Sequence, residues 1–178
     1  LGHEFNTLTT ENALKFSPVH PEPDRYDFVD ADAIVDFAAA HDMAVRGHTL
    51  VWHQSVPDWV AAAASDADMT EAAWEALLQD HISTVVGRYR GRIEAWDVVN
   101  EAVEGDGPDD LRRTVWLDGL GDDYIDKAFR WAHEADPDAL LFYNDYGAED
   151  MGPKSQQVYE LVGGMVDRGV PIHGVGLQ

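Results

Sequence analysis

A chain of 178 residues that is 45% hydrophobic has the apolar content for one globular core and too little length for two, so residues 1–178 are expected to form a single domain. Its 34 acidic residues against 12 basic ones leave a net charge of −22, which argues against nucleic acid or an anionic membrane surface as a partner, since both repel such a charge. The absence of cysteine excludes disulfides and thiolate metal sites and leaves stability to packing.

In chain order the apolar pattern alternates between short continuous runs and helical stripes. A strand-like run at residues 5–9 is followed by Ala31, Ile34, Val35 and Ala38 on one helical face. Residues 44–47 form the second run, and Trp74, Leu77, Leu78, Ile82, Val85 and Tyr89 the next stripe. A third run at 93–99 precedes the stripe Tyr124, Ile125, Ala128, Phe129 and Ala132. The fourth run, 140–143, leads to Val158, Leu161, Val162, Met165 and Val166, and the fifth lies at 174–177. Asp30 and Thr70 are the expected N-caps, Asp136-Pro137 a stop, Pro153 a start, and Gly169 with Pro171 a finish. The fold class is therefore α/β, with right-handed crossovers and a parallel sheet that is either open or closed.

Polar residues gather after each expected strand: Glu11, Asn12 and Lys15; His48 and His53; Asn100 and Glu101; Asn144, Asp145 and Tyr146; and Gln178. A doubly wound sheet would concentrate such groups at one switch point beside a Gly-rich phosphate loop, and that loop is missing. Polar groups at every strand end favour closure into a β/α barrel, whose chemistry occupies that end. The most informative segment is Asp97-Val98-Val99-Asn100-Glu101-Ala102. Glu101 there can protonate a leaving oxygen while Asn100 holds a substrate hydroxyl, although a loop-capping or Arg-paired Glu would look the same. His48 and His53 invite a metal reading, but no H-x-H or H-x-x-x-H pattern accompanies them and no metal is expected.

Four co-linear strings carry a family likeness. Thr9-Thr10-Glu11-Asn12-Ala13-Leu14-Lys15-Phe16 resembles T-x-E-N-x-M-K-W, and residues 46–53 match R-G-H-T-L-V-W-H with Pro57-Asp58-Trp59 as the downstream P-x-W. Trp96 to Glu101 match W-D-V-V-N-E, and Tyr143 to Tyr146 match Y-N-D-Y. Together they resemble the catalytic domain of family 10 glycoside hydrolases, the retaining endo-1,4-β-xylanases. Leu14, Phe16 and Gly147 depart from the usual Met, Trp and Asn, apolar swaps and a loop change that bear on subsite preference more than on chemistry.

The resemblance implies a partial (β/α)8 TIM barrel, about strands two to six of eight, with no cofactor. It implies that Glu101 is the acid/base, that Asn100 binds the 2-hydroxyl of the sugar under attack, and that Glu11, Asn12, Lys15 and His53 form a sugar-binding wall. Trp59 and Tyr146 are the expected stacking platforms, Gln178 and Asp97 neighbours of the catalytic groups, and Trp52 a core residue. The nucleophilic Glu is expected beyond Gln178. Xylan is the implied partner and the outside of the cell the implied location, although the first residues carry no signal-peptide pattern. A non-catalytic carbohydrate-binding fragment and a related barrel cellulase are the rival readings.

Arg outnumbers Lys nine to three, and with the acidic excess this points to adaptation to high salt. Molar KCl shortens the screening length to about 3 Å. The thermal midpoint is expected to rise between low salt and molar KCl; a flat or falling midpoint removes the adaptation.

Overall fold

The computed structural model describes residues 2–105 and 111–178. Five strands, β1 (Thr7–Thr9), β2 (Ala44–Trp52), β3 (Ala95–Asn100), β4 (Leu140–Asp145) and β5 (Gly174–Leu177), pair in parallel in the order β1-β2-β3-β4-β5. Spatial order equals chain order, so every right-handed crossover steps the same way and lays its helix on the same face. No switch point arises. The other face is left as a concave inner wall, which is the wall of a partial (β/α)8 barrel.

The crossovers hold α1 (Phe16–Val19) and α2 (Val29–Ala40), then α3 (Asp58–Ala63) and α4 (Glu71–Arg88), then α5 (Val115–Leu120) and α6 (Tyr124–Ala135), and finally α7 (Pro153–Asp167). The expected stripes of α4 and α6 are buried, with Leu78, Ile82, Val85, Ala128 and Phe129 fully enclosed. Thr70 caps α4 by accepting the Ala73 N–H at 3.3 Å, and Pro153 opens α7. Gly169 sits at φ 66° just past the end of α7, where a left-handed residue closes a helix without a Cβ clash.

Asp30 is not the cap of α2. The helix starts one residue earlier, Asp27 Oδ1 receives the Val29 N–H at 3.2 Å, and Asp30 falls in the first turn, where its charge still meets the positive helix end. Strands β2 and β4 run past their expected ends to Trp52 and Asp145. Polar residues that look like loop in a hydrophobicity reading are ladder residues here, because the barrel interior accepts them.

Under the sheet, the imidazole of His81 on α4 lies flat against Phe16, with ring centroids 3.6 Å apart and planes 12° from parallel. His20 lies nearly parallel to both rings, 5.4 Å from Phe16 and 5.6 Å from His81. Burial pushes the His81 ring well below the ordinary histidine range, nearby His20 adds to it, and a backbone contact from Leu50 opposes it. Native His81 is neutral, whereas the unfolded chain binds its proton near the ordinary value of 6.5. The stabilisation is complete above that value and is lost as pH falls below it, at about 1.4 kcal/mol per pH unit. Chemical unfolding should therefore show a lower stability near pH 5 than near pH 7.5, with this ring contributing to the loss. His81→Phe, which keeps the stack, should lose correspondingly less; equal slopes would exclude His81 as the source.

Candidate active site

Register assembles the site. Trp52 pairs with Asn100, Asn100 with Asn144, and Asn144 with Gly176, so the C-terminal ends of β2, β3, β4 and β5 present one row at the barrel mouth. One layer deeper His48 pairs with Asp97. Parallel pairing holds each row level, and between the two rows the ladder shifts register, from His48 to Val51 on β2 and from Asp97 to Val99 on β3, so the simple two-residue alternation of faces is broken there.

Glu101 follows β3 and is 8% exposed. One carboxylate oxygen, Oε2, accepts the Trp52 indole N–H at 2.8 Å, and Oε1 accepts from Gln178 Nε2 at 3.2 Å. Among the described residues each oxygen thus has one hydrogen-bond donor, and a neutral one, which aims the carboxylate and leaves further lone pairs unused. His53 Nδ1 stands 3.9 Å from Oε2. Burial holds the His53 imidazole below its ordinary range, Arg112 adds to this, and the Glu101 charge opposes it. A neutral imidazole can both donate to and accept from sugar hydroxyls.

Asn100 is buried, and its amide lies 2.8 Å from Asn144 Nδ2 and 3.0 Å from Gln178 Nε2. In the opposite amide orientation its oxygen instead receives the Trp52 N–H at 3.1 Å and its nitrogen donates to the Asn144 carbonyl at 3.2 Å. A Cβ at Gly176 in the same row would overlap the Asn144 amide oxygen and the Arg46 guanidinium, so both side chains would have to shift.

The wall from the first loop reaches the same group. Lys15 Nζ donates to Asn12 Oδ1 at 2.7 Å and lies 4.7 Å above the Trp52 ring, so Asn12, Lys15, Trp52 and Glu101 form one connected series. Glu11, at φ 52°, lines an inner cavity of about 490 Å³ with Thr9, Arg46, His48, Asp97 and Gln178. Asp97 holds the floor, accepting from Arg46 Nε at 3.0 Å and from His48 Nδ1 at 2.9 Å.

Two of the expected residues stand apart from this group. Trp59 is half-buried among Phe16 and His20 and donates its indole N–H to the His20 carbonyl at 3.1 Å. Tyr146 is 45% exposed, and one face of its ring carries Lys154 Nζ at 3.4 Å. Conversely, Trp52 is no mere core residue, because its indole N–H orients the Glu101 carboxylate. Arg112 and Lys154 also touch the site and lie outside every motif; a lone Arg or Lys in an acidic sequence carries no signal of what it will meet.

The family model described as Glycosyl hydrolase family 10 matches residues 1–178. The chain belongs to glycosyl hydrolase family 10. It is 52% identical over 178 residues to a beta-1,4-xylanase of Dictyoglomus thermophilum and 49% identical over 178 residues to endo-1,4-beta-xylanase B of Paenibacillus barcinonensis, covering all of this chain in both cases. Xylanase 10B from Thermotoga petrophila RKU-1, solved in complex with xylobiose, superposes with a TM-score of 0.93 at 46% identity over 99% of this chain and 52% of its own. The chain spans 49% and 53% of the length of the two curated relatives.

Asp145 is fully buried, receives the Tyr143 hydroxyl, and faces Lys154 Nζ at 2.8 Å. Lys154→Met would leave that carboxylate charged and without its cation, at a cost of about 3 to 5 kcal/mol. Urea unfolding of the variant checks this; a loss below about 1 kcal/mol would mean that the pair behaves as an exposed one.

Proposed function

We propose that this chain supplies the acid/base half of an endo-1,4-β-xylanase that cuts internal β-1,4-xylosidic bonds with retention of configuration. The observation that carries this is the Glu101 carboxylate, enclosed at a strand end and aimed by one neutral donor on each oxygen. In the first step Glu101 gives its proton to the glycosidic oxygen as the bond to the anomeric carbon breaks, and a second carboxylate attacks that carbon from the opposite face. In the second step Glu101 takes a proton from water, which displaces the enzyme carboxylate and frees the sugar.

The attacking carboxylate must stand about 5 to 5.5 Å from Glu101. Asp145 is committed to Lys154 and Tyr143, and Asp97 to Arg46 and His48, which supports a nucleophilic Glu beyond Gln178. Asn100 is assigned to the 2-hydroxyl of the sugar under attack, where a bond that tightens as positive charge develops lowers the barrier. Glu11, Asn12, Lys15 and His53 are assigned to neighbouring sugars, and Tyr146 offers its free ring face to a pyranose. Xylan is the substrate that fits the two xylanase relatives and the xylobiose complex named above. A polymer of that size cannot cross a bilayer, which supports action outside the cell.

In the full-length gene product, Glu101→Gln should lower turnover on xylan by about 10²- to 10⁴-fold while leaving the thermal midpoint nearly unchanged. Undiminished hydrolysis would reject the assignment.

A further inference from the structure

We propose that Arg112 is a positioning residue that locks the Glu101 backbone in its left-handed conformation and thereby sets where the proton-donating carboxylate stands. The inference rests on the acid/base reading of Glu101 and adds to it a residue outside every motif.

Glu101 has φ 55°, a conformation that costs a side-chain-bearing residue about 1 to 2 kcal/mol and persists only where the surroundings impose it. Its N–H donates to the Asn144 carbonyl at 2.8 Å. Its carbonyl accepts Arg112 Nε at 3.0 Å, and the next carbonyl, that of Ala102, accepts the Arg112 backbone N–H at 2.7 Å. One residue therefore grips both peptides that follow the acid, with a short antiparallel bridge between Val103 and Leu111 beside it.

The guanidinium is itself anchored. Its Nη2 donates to the Tyr146 hydroxyl at 3.3 Å, its Nη1 lies 3.6 Å from Glu104 Oε1, and its side chain is only 17% exposed. The Tyr143 hydroxyl holds the same segment from the other side by accepting the Val103 N–H at 3.1 Å. Trp52 and Gln178 can aim the carboxylate only if its Cα–Cβ bond already points into the cleft, and that direction follows from the backbone of residue 101. A lysine cannot substitute, since a single ammonium lacks the planar fork that reaches carbonyl, phenol and carboxylate in different directions.

The test uses the full-length gene product with Arg112→Met, Arg112→Lys and, on the opposite side of the segment, Tyr143→Phe. Two substrates are compared: xylohexaose, whose leaving sugar needs a proton, and 2,4-dinitrophenyl β-xylobioside, whose phenolate leaves without one. Misplacement of the acid should lower kcat on xylohexaose by about 30-fold with KM changed less than about twofold, while kcat/KM on the aryl glycoside changes less than about threefold. Arg112→Lys should resemble Arg112→Met. If Arg112→Met does not fold, Arg112→Lys and Tyr143→Phe carry the comparison. Equal loss on both substrates, or no loss on xylohexaose, overturns the positioning role. Glu101→Gln is assayed alongside: if it keeps full activity on xylohexaose, the acid/base reading fails, whereas if it is impaired and the Arg112 variants are not, only the present inference fails.

Discussion

The parallel register of β2, β3 and β4 is the constraint on which the site depends. It brings Trp52, Asn100 and Asn144 level with one another and, one layer down, His48 level with Asp97. A slip of one residue in any of these strands would turn its polar row toward the helices and its apolar row into the cleft. Glu101 is the next residue after this row, and its donors, Trp52 and Gln178, stand at the ends of β2 and β5. The carboxylate is therefore aimed by the sheet as a whole and not by its own loop alone.

Charge is distributed with similar economy. The surface is strongly acidic, and its cations are engaged there: Arg88 with Asp32, Arg168 with Asp126, and Lys127 among Glu71, Glu75 and Asp123. A second set, Lys15, Arg46, Arg112 and Lys154, surrounds the barrel mouth and interior. There each cation meets a specific polar or aromatic partner: Asn12 and Trp52, Asp97, the Glu101 carbonyl, and Asp145 with Tyr146. Removing two charges from water is costly, and the Arg46–Asp97 pair is sustained because His48 also bonds the same carboxylate and the Thr49 hydroxyl donates to the Asp97 carbonyl. Such a layer occupies space that apolar side chains fill in other barrels.

Much of the fold was legible in the chain. Period-3.6 stripes marked α2, α4, α6 and α7, short apolar runs marked all five strands, and the four co-linear strings identified the family. The short helices α1 and α5 carried too few residues for a period to register. The ends of β2 and β4 were read too early, at Gly47 and Tyr143, because a polar residue such as His48 or Asn144 has the same hydropathy in a barrel interior as in a loop.

The sequence by itself determined the elements, their alternation and the chemistry on offer at each strand end, because periodicity and residue type are local properties that survive without a fold. Which of those groups meet was decided by tertiary structure alone. Trp52 reaches Glu101 across 49 residues of chain, Gln178 across 77, and Arg112 from a loop 11 residues on. Contacts of that kind depend on ladder register and crossover direction, which no single segment encodes.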